Sequence, residues 1–259
     1  MLKNGSIGYE VSGLQKLLGL PMTGIFDEAT YQAVVAVQKQ HNLIADGIAG
    51  PKTMTALKGD KKEIIKLLNM DDINRAADQL KVDAASVIAV HKVESLGTGF
   101  LADGRVKILY ERHIMYRQLE QSGFDAADYQ QKFPAIVNKA RGGYLGGARE
   151  YGRLGMASQL SVADALESCS WGAYQIMGFH WQALGFESVH VFVDQMQQGE
   201  GKQLDAFVGF ITADAKLHAA LKSKKWAEFA KIYNGPDYKD NFYDQKLAYA
   251  YDNAQANLH

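Results

Sequence analysis

Glu94 lies in the last turn of a predicted helix that is otherwise apolar. This helix is predicted to have Asp83 as its N-cap and is apolar almost all round, so we expect it to be buried. Burial removes water from a carboxylate and the C-terminal end of a helix carries partial negative charge, so both effects raise the pKa of Glu94. A carboxylic acid that stays protonated near neutral pH is what a general acid requires. Taken alone, a glutamate at a helix end more often caps, forms a salt bridge or faces solvent.

Glu111 is the second candidate carboxylate, 17 residues after Glu94. It directly follows Val106–Tyr110, whose alternation of residues predicts a β-strand. A helix, a loop and a returning strand could bring the two carboxyl groups to face each other, as glycoside cleavage requires. Asp103 is a weaker candidate, because Asp103-Gly104 resembles an ordinary turn. The alternative for Glu111 is a structural ion pair with a nearby basic residue: Arg105, Arg112 or His113.

The segment Ser170–Gly178 mixes aromatic, amide and glycine residues. The rings of Trp171 and Tyr174 could stack on sugars, and the amide of Gln175 could hydrogen-bond to them. The alternative is that this segment is the start of a helix packed into the core. The residues alone leave both interpretations open.

The segment Tyr233–Pro236 reads Tyr-Asn-Gly-Pro and follows a predicted helix that carries Trp226 and Phe229. A glycine and then a proline after a helix are common helix-ending residues. Without further information, this segment predicts the end of a helix rather than a binding site.

Metal and nucleophile chemistry find little support in the sequence. The seven histidines show no His-Glu-x-x-His spacing and there is no set of cysteine partners, so we predict neither a metal site nor a cofactor. Cys169, the single cysteine, has no signature of activation and is predicted to be a small buried thiol. The glycine-rich stretch Arg141–Gly147 does not follow a strand as a phosphate-binding loop would, and is predicted to be a plain loop.

The elements that would position these residues are mainly helices. From Ala148 to the end, most of the chain has helical patterning, including a C-terminal helix over Asp240–Asn257. That helix carries little positive charge, which favours packing over membrane activity. The second part of the chain is therefore predicted to be a mainly helical domain with one small sheet.

The first sixty residues form a pattern of their own. A helix over Tyr9–Leu18 precedes a short repeat, in which Thr23–Val34 can be laid over Asp46–Leu57. Each copy has a glycine-containing turn, a polar helix start and an apolar helix face. Asp27 is a suitable N-cap and Pro51 suits a first helical turn. This pattern predicts a compact three-helix bundle.

Composition limits the class of protein. The chain has 259 residues, 47% hydrophobic and 22% charged, which excludes a disordered polyampholyte. A net charge of −1 gives no argument for binding nucleic acid or an anionic membrane. No apolar run is long enough to predict a transmembrane helix. A polar break at Lys58–Lys62 is the candidate linker, so we predict one domain at residues 1–60 and a second at residues 70–259.

Residues 5–57 resemble the small helical peptidoglycan-binding domain. The matching residues are Val11, Leu14-Gln15, Gly24-Ile25-Phe26, Thr30, Ala33-Val34, Gln38, Asp46-Gly47, Gly50, Thr53 and Leu57. Family members usually have a longer first turn with glycine where this chain has Asp27. The resemblance implies the bundle fold and a peptidoglycan partner.

Residues 70–258 resemble the N-acetylmuramidase domain of modular bacteriophage endolysins. The supporting segments are Val93–Leu101, Lys107–His113, Ser170–Gly178 and Tyr233–Pro236. The last two are also similar to motifs of goose-type lysozymes and lytic transglycosylases. The resemblance implies a lysozyme-like α+β fold in which Glu94 matches the catalytic glutamate.

The implied activity is hydrolysis of the β-1,4 bond between N-acetylmuramic acid and N-acetylglucosamine. Glu94 would protonate the leaving oxygen, and Glu111 would stabilise the oxocarbenium-like state or activate water. The glycan would be held by the residues that these motifs contribute: Ser95, Trp171, Tyr174, Gln175, Tyr233 and Asn234. No cofactor is needed.

Three other functions stay open at this point. A lytic transglycosylase needs one glutamate and gives a 1,6-anhydro product. A zinc amidase or peptidase is a second alternative, because such enzymes are also fused to wall-binding modules. A non-catalytic wall-binding protein of a phage particle is the third.

The resemblance also suggests where the protein acts. The residues Met1–Ser6 have no apolar core of a signal peptide, so we expect accumulation in the host cytoplasm. A separate phage protein would open the membrane, releasing the enzyme to the periplasm and the wall. We expect a monomer with no nucleic-acid partner and no stable membrane association.

Overall fold

The structure is a computed structural model that describes residues 1–59, 66–95 and 97–258. Most of the described chain is helical, and three short strands between residues 108 and 177 form one sheet. The α-helices are α1 (Tyr9–Leu17), α2 (Glu28–Gln40), α3 (Pro51–Lys58), α4 (Met70–Leu80), α5 (Ala84–Glu94), α6 (Arg112–Gln121), α7 (Ala126–Lys132), α8 (Glu150–Ser158), α9 (Val162–Glu167), α10 (Val189–Gln198), α11 (Glu200–Ala213), α12 (Ala215–Lys222), α13 (Trp226–Asn234) and α14 (Tyr243–Leu258).

The chain divides into two compact units. The first contains Met1–Glu94 together with Ala215–His259, and the second contains Ser95–Asp214. These units divide the chain at different points from the domains predicted at residues 1–60 and 70–259, which stay a prediction. Of the linker predicted at Lys58–Lys62, residues 60–62 lie outside the described residues.

The N-terminal bundle consists of α1, α2 and α3, as predicted. Asp27 caps α2 by accepting a hydrogen bond from the backbone N–H of Thr30, and Pro51 occupies the first turn of α3. The bundle core is formed by the buried residues Val11, Leu14, Phe26, Val34 and Ala49. Local capping signals and one apolar face on each helix therefore account for this part of the fold.

The repeat seen in the sequence is also a repeat in the structure. Gln15 and Gln38 are buried, and each side chain closes one turn of the repeat. Each amide nitrogen donates to a backbone carbonyl and a threonine hydroxyl, and each amide oxygen accepts a backbone N–H. The respective partners are Ile25, Thr30 and Gly24 for Gln15, and Ile48, Thr53 and Gly47 for Gln38, at 2.9–3.1 Å.

Helix α5 is the centre of the rest of the first unit. Asp83 caps it, accepting the backbone N–H of Ser86 at 2.8 Å and the Ser86 hydroxyl at 2.6 Å. The helix is buried along most of its length and packs against α4 and α14. Its apolar sequence correctly predicted this burial.

The bundle is tied to α5 and α14 within the first unit. Lys92 of α5 lies 3.2 Å from a carboxylate oxygen of Asp46, which belongs to the second turn of the repeat. The hydroxyl of Tyr31 in α2 donates to the side-chain oxygen of Asn257 in α14 at 3.2 Å. One of these polar contacts links the bundle to α5, the helix that carries Glu94, and the other links it to α14.

The second unit contains an antiparallel sheet in the order β1 (Ile108–Tyr110), β2 (Cys169–Trp171), β3 (Ile176–Met177). Leu109 lies opposite Ser170, which in turn lies opposite Met177. The segment Ser170–Gly178 therefore forms a β-hairpin, and the alternative of a helix start at this segment is wrong. The predicted fold class, mainly helical with one small sheet, is confirmed.

Candidate active site

Glu94 is the last residue of α5 and its side chain is half-buried. Asn234, the last residue of α13, donates a hydrogen bond from Nδ2 to Oε1 of Glu94 at 3.0 Å. Burial raises the pKa of Glu94 to about 7, and the hydrogen bond from Asn234 acts in the opposite direction. A large fraction of Glu94 is therefore protonated near neutral pH, as general-acid chemistry requires.

Tyr233 and Asn234 both lie beside Glu94. The pKa of Tyr233 is raised, first by burial and then by the negative charge of Glu94. Its ring stacks on Phe229 of the same helix, with ring centres 5.9 Å apart. Helix α13 ends at Asn234, and Gly235 follows at φ 88°. The Tyr-Asn-Gly-Pro segment therefore ends a helix, as its residues predict, and also brings an amide to the candidate acid.

Ser95 directly follows Glu94 and is the first residue of the second unit. Its side chain is half-buried. Within the second unit, the backbone N–H of Gly99 donates to Oε1 of Glu200 at 2.8 Å. Glu200 is 1% exposed, so this is a buried contact that the sequence analysis missed.

Gln203 is a second buried polar residue that the sequence analysis missed. Its Oε1 accepts the backbone N–H of Ala173 at 2.8 Å, and its Nε2 donates to the carbonyl of Met196 at 3.0 Å. A Cβ atom on Gly99 would lie 1.8 Å from Oε1 of Gln203, so a larger residue here would displace the Gln203 amide from its hydrogen-bond partners. Glu200 and Gln203 lie three residues apart at the start of α11, where Lys202 and Asp205 are also polar, so the local sequence does not single them out as buried.

Glu111 is the residue before α6 and is half-buried. The hydroxyl of Tyr144 donates to its Oε2 at 2.8 Å. Nδ1 of His113 lies 3.1 Å from the same oxygen, but it is buried without a well-directed hydrogen bond. Burial lowers the pKa of His113, while the charge of Glu111 acts in the opposite direction. Glu111 lies in the second unit, whereas Glu94 ends the first.

The other two structural partners suggested for Glu111 bind elsewhere. Arg105 forms an ion pair with Asp103 at 2.6 Å. The guanidinium of Arg112 donates to the backbone carbonyls of Ala140 and Arg141 at 2.9 and 2.8 Å. Among the suggested basic residues, His113 is thus the one that the structure places against Glu111. The carboxylate of the weaker candidate, Asp103, forms this ion pair with Arg105.

Trp171 and Tyr174 are core residues, 2% and 4% exposed. The indole N–H of Trp171 donates to the carbonyl of Leu166 at 3.1 Å, and the ring of Tyr174 stacks on Phe207 with centres 4.4 Å apart. Rings buried against protein present no free face to a sugar. Their burial corrects the expectation that these two rings line a sugar groove.

Gln175 lies in the hairpin turn at φ 50°. Its Oε1 accepts the hydroxyl of Ser170 at 2.8 Å, and its Nε2 donates to the carbonyl of Gly172 at 2.9 Å. The amide therefore holds the turn between β2 and β3. Any contact of Gln175 with a glycan would be made in addition to these internal bonds.

Metal-binding groups of three or more histidine, cysteine or acidic residues are absent from residues 1–59, 66–95 and 97–258. Cys169 is fully buried, and burial raises the pKa of its thiol well above the usual value. A buried thiol with a raised pKa is a poor nucleophile. The carboxylates are consequently the candidates for chemistry in this part of the chain.

A cavity of about 210 Å³ lies elsewhere in the first unit, where the bundle meets α5 and α14. Its lining includes Asn42, Asp46, Lys92 and Asn257, but not Glu94.

Within the described chain, no helix has the length and apolar character needed to cross a membrane.

Two protein-family models match separate stretches of the chain. The N-acetylmuramidase family model matches residues 83–255, and the model of a putative peptidoglycan binding domain matches residues 7–57. Among solved structures, the chain is similar to the crystal structure of Burkholderia AP3 phage endolysin. The two are 52% identical, with 98% of this chain and 99% of that chain covered and a TM-score of 0.91. No curated protein matches the chain.

Proposed function

Because this chain belongs to the N-acetylmuramidase family, we propose that it is a phage endolysin whose general acid is Glu94. It is a glycoside hydrolase of lysozyme type that acts on peptidoglycan, and it carries an N-terminal peptidoglycan-binding domain. The observation that supports Glu94 most directly is its half-buried position at the end of α5, where burial raises its pKa to about 7. The alternatives of a zinc enzyme and of a non-catalytic protein have no comparable support.

In the proposed reaction, protonated Glu94 gives its proton to the oxygen that links N-acetylmuramic acid to N-acetylglucosamine. The bond to the sugar carbon breaks, and an oxocarbenium-like state develops on the muramic acid ring. Asn234 holds Oε1 of Glu94, so its hydrogen bond orients the carboxyl group and stabilises the carboxylate left behind. Ser95, Gln175 and Tyr233 are proposed to contact the glycan around this point.

Glu111 is proposed as the second carboxylate, which stabilises the oxocarbenium-like state or activates water. Carboxyl groups about 5–5.5 Å apart in the complex would favour retention, and about 6.5–9.5 Å would favour inversion. The anomeric configuration of the first product, followed by NMR during digestion, distinguishes these two courses.

Digestion of purified peptidoglycan followed by mass spectrometry tests the proposed reaction. Hydrolysis gives products with a reducing N-acetylmuramic acid end, since water enters the broken bond. A lytic transglycosylase would instead give 1,6-anhydro products that are lighter by one water. Retention of lysis in the presence of a chelator would argue further against a zinc amidase or peptidase.

The proposal also assigns separate roles to the two predicted domains. Residues 1–60 would hold the wall while residues 70–259 cleave it. The protein would be a monomer, without nucleic-acid or stable membrane partners. It would accumulate in the host cytoplasm and reach the periplasm and wall at lysis.

A further inference from the structure

One side chain other than His113 contacts the carboxylate of Glu111. The hydroxyl of Tyr144 donates to Oε2 at 2.8 Å, whereas Nδ1 of His113, 3.1 Å from that oxygen, is not directed along a hydrogen bond. Arg141 and Arg117 are the basic residues whose charges also act on His113. In the described chain, Tyr144 and His113 both meet the carboxylate of Glu111 at Oε2, and Tyr144 supplies the directed hydrogen bond that fixes the carboxyl group.

Tyr144 lies in the middle of a glycine-rich loop, Arg141–Gly147, which we call the strap. One end of the strap is bound to Glu150, whose Oε1 accepts the backbone N–H groups of Leu145 and Gly146 at 2.6 and 2.8 Å. Glu150 is fully buried and pairs with Arg153, with a separation of 3.0 Å between Nη1 and Oε2. This end of the strap is therefore held by a buried ion pair.

The ion pair between Glu150 and Arg153 also contacts Tyr110, the residue before Glu111. Nη1 of Arg153 donates to the carbonyl of Tyr110 at 2.8 Å. The other end of the strap is bound by the residue after Glu111, since Arg112 donates to the carbonyls of Ala140 and Arg141. Both neighbours of Glu111 thus take part in holding the strap.

The backbone of the strap follows a path that needs glycine. Gly142 and Gly143 have φ values of 104° and 76°, in the left-handed region. This path leaves Tyr144 46% exposed, although its hydroxyl is bonded to Glu111. Because both ends of the strap are held, the ring of Tyr144 is already in position before substrate binds.

We propose that Tyr144 is a positioning residue for the reaction, in which its hydroxyl fixes Oε2 of Glu111 and leaves Oε1 to face the glycan. This inference rests on the proposed role of Glu111 as the second carboxylate. Tyr144 itself exchanges no proton or electron pair with the substrate. Its contribution is to hold the carboxylate in one orientation throughout the cycle.

The test replaces Tyr144 with phenylalanine, which removes the hydroxyl and keeps the ring. Kinetics on soluble, uncrosslinked peptidoglycan strands should show kcat reduced about tenfold or more, with KM within twofold of wild type, because one charge-assisted hydrogen bond is lost. The matched control is Tyr151→Phe, which removes a tyrosine hydroxyl that donates to the carbonyl of Val106 in the same unit. The control should keep the wild-type kcat.

A second set of variants distinguishes a failure of this inference from a failure of the proposed role of Glu111. Glu111→Gln should be strongly impaired, and adding Tyr144→Phe to it should lower the residual kcat by less than twofold, because the hydroxyl acts through Glu111. If Glu111→Gln keeps a near wild-type kcat, both the role of Glu111 and that of Tyr144 are wrong. If Glu111→Gln is impaired but Tyr144→Phe is not, or raises only KM, the role of Glu111 stands and that of Tyr144 is overturned.

Discussion

Nδ2 of Asn234 lies 3.0 Å from Oε1 of Glu94, and 140 residues of sequence separate the two. The contact joins the last residue of α13 to the last residue of α5. It places an amide donor on a carboxyl group whose charged form is disfavoured by burial. The balance of these two effects sets the protonation of Glu94 and leads to the first four predictions.

Replacing Glu94 with glutamine should abolish lysis of permeabilised Gram-negative cells and leave binding to purified wall largely intact. Glutamine is close in size to glutamate and can still accept the bond from Asn234, but it has no proton to give. Turbidity loss measures lysis, and co-sedimentation with insoluble peptidoglycan measures binding. Lysis at close to the wild-type rate would refute the assignment of Glu94.

The pH dependence of activity should follow the protonation of Glu94. Its pKa is raised to about 7, so kcat should fall as pH rises through about 7 and the acid is lost. Rates on soluble strands between pH 5 and 9 would measure this, with pH stability checked separately. A constant kcat across that range would show that loss of this proton does not limit the reaction.

Stability should depend on pH through the same group. Between the usual value of 4.5 and about 7, the folded protein binds more protons at Glu94 than the unfolded chain does. The free energy of unfolding should therefore fall as pH rises through this window, by up to about 3 kcal/mol. Urea unfolding of Glu94→Gln provides the comparison, because that variant should lack this part of the dependence.

Replacing Asn234 with alanine should move the fall in kcat to higher pH. The amide of Asn234 stabilises the charged form of Glu94, so its removal raises the pKa of Glu94 further. The maximal rate should also decrease, since the carboxyl group loses its orientation. The control is Asn253→Ala, which removes an exposed amide bonded to a backbone carbonyl of α14 and should change neither quantity. If kcat of Asn234→Ala began to fall at the same pH as kcat of the wild type, the proposed coupling between Asn234 and Glu94 would be contradicted.

Gln38 should be important for the stability of the bundle. Alanine at this position would leave the backbone N–H of Gly47 buried without its partner, and would remove the hydrogen bond that Gln38 donates to the hydroxyl of Thr53. We expect the free energy of unfolding to decrease by about 3 kcal/mol. Gln32→Ala is the control, because Gln32 is exposed and bonds only to Glu28 one turn earlier. If Gln38→Ala and Gln32→Ala gave the same unfolding curve, the hydrogen bonds of Gln38 would not stabilise the bundle as described.

Local features of the fold could be predicted from the sequence. The caps at Asp27 and Asp83 were correct because each depends on contacts within three residues. The burial of α5 followed from its apolar composition. The sheet was only partly predictable, because β2 and β3 have three and two residues, too few for a clear alternation pattern.

The contacts of the candidate site could not be predicted from the residues. Asn234 meets Glu94 through tertiary packing, and its local pattern indicated only a helix end. Tyr144 was passed over because a glycine-rich loop has no periodicity that would indicate where its side chains point. Tyr174 is buried against Phe207 of a later helix, and the indole of Trp171 bonds to Leu166 of the helix just before it, so composition alone left the roles of both rings open.

The contacts Asp46–Lys92 and Tyr31–Asn257 have a consequence for engineering. A targeting module joined by a free tether could be exchanged for another without disturbing the enzyme. Here, an exchange would leave Lys92, two positions before Glu94 on the same helix, without its acidic partner. Chimeras designed to change host range should therefore graft the turn around Asp46 together with the new module.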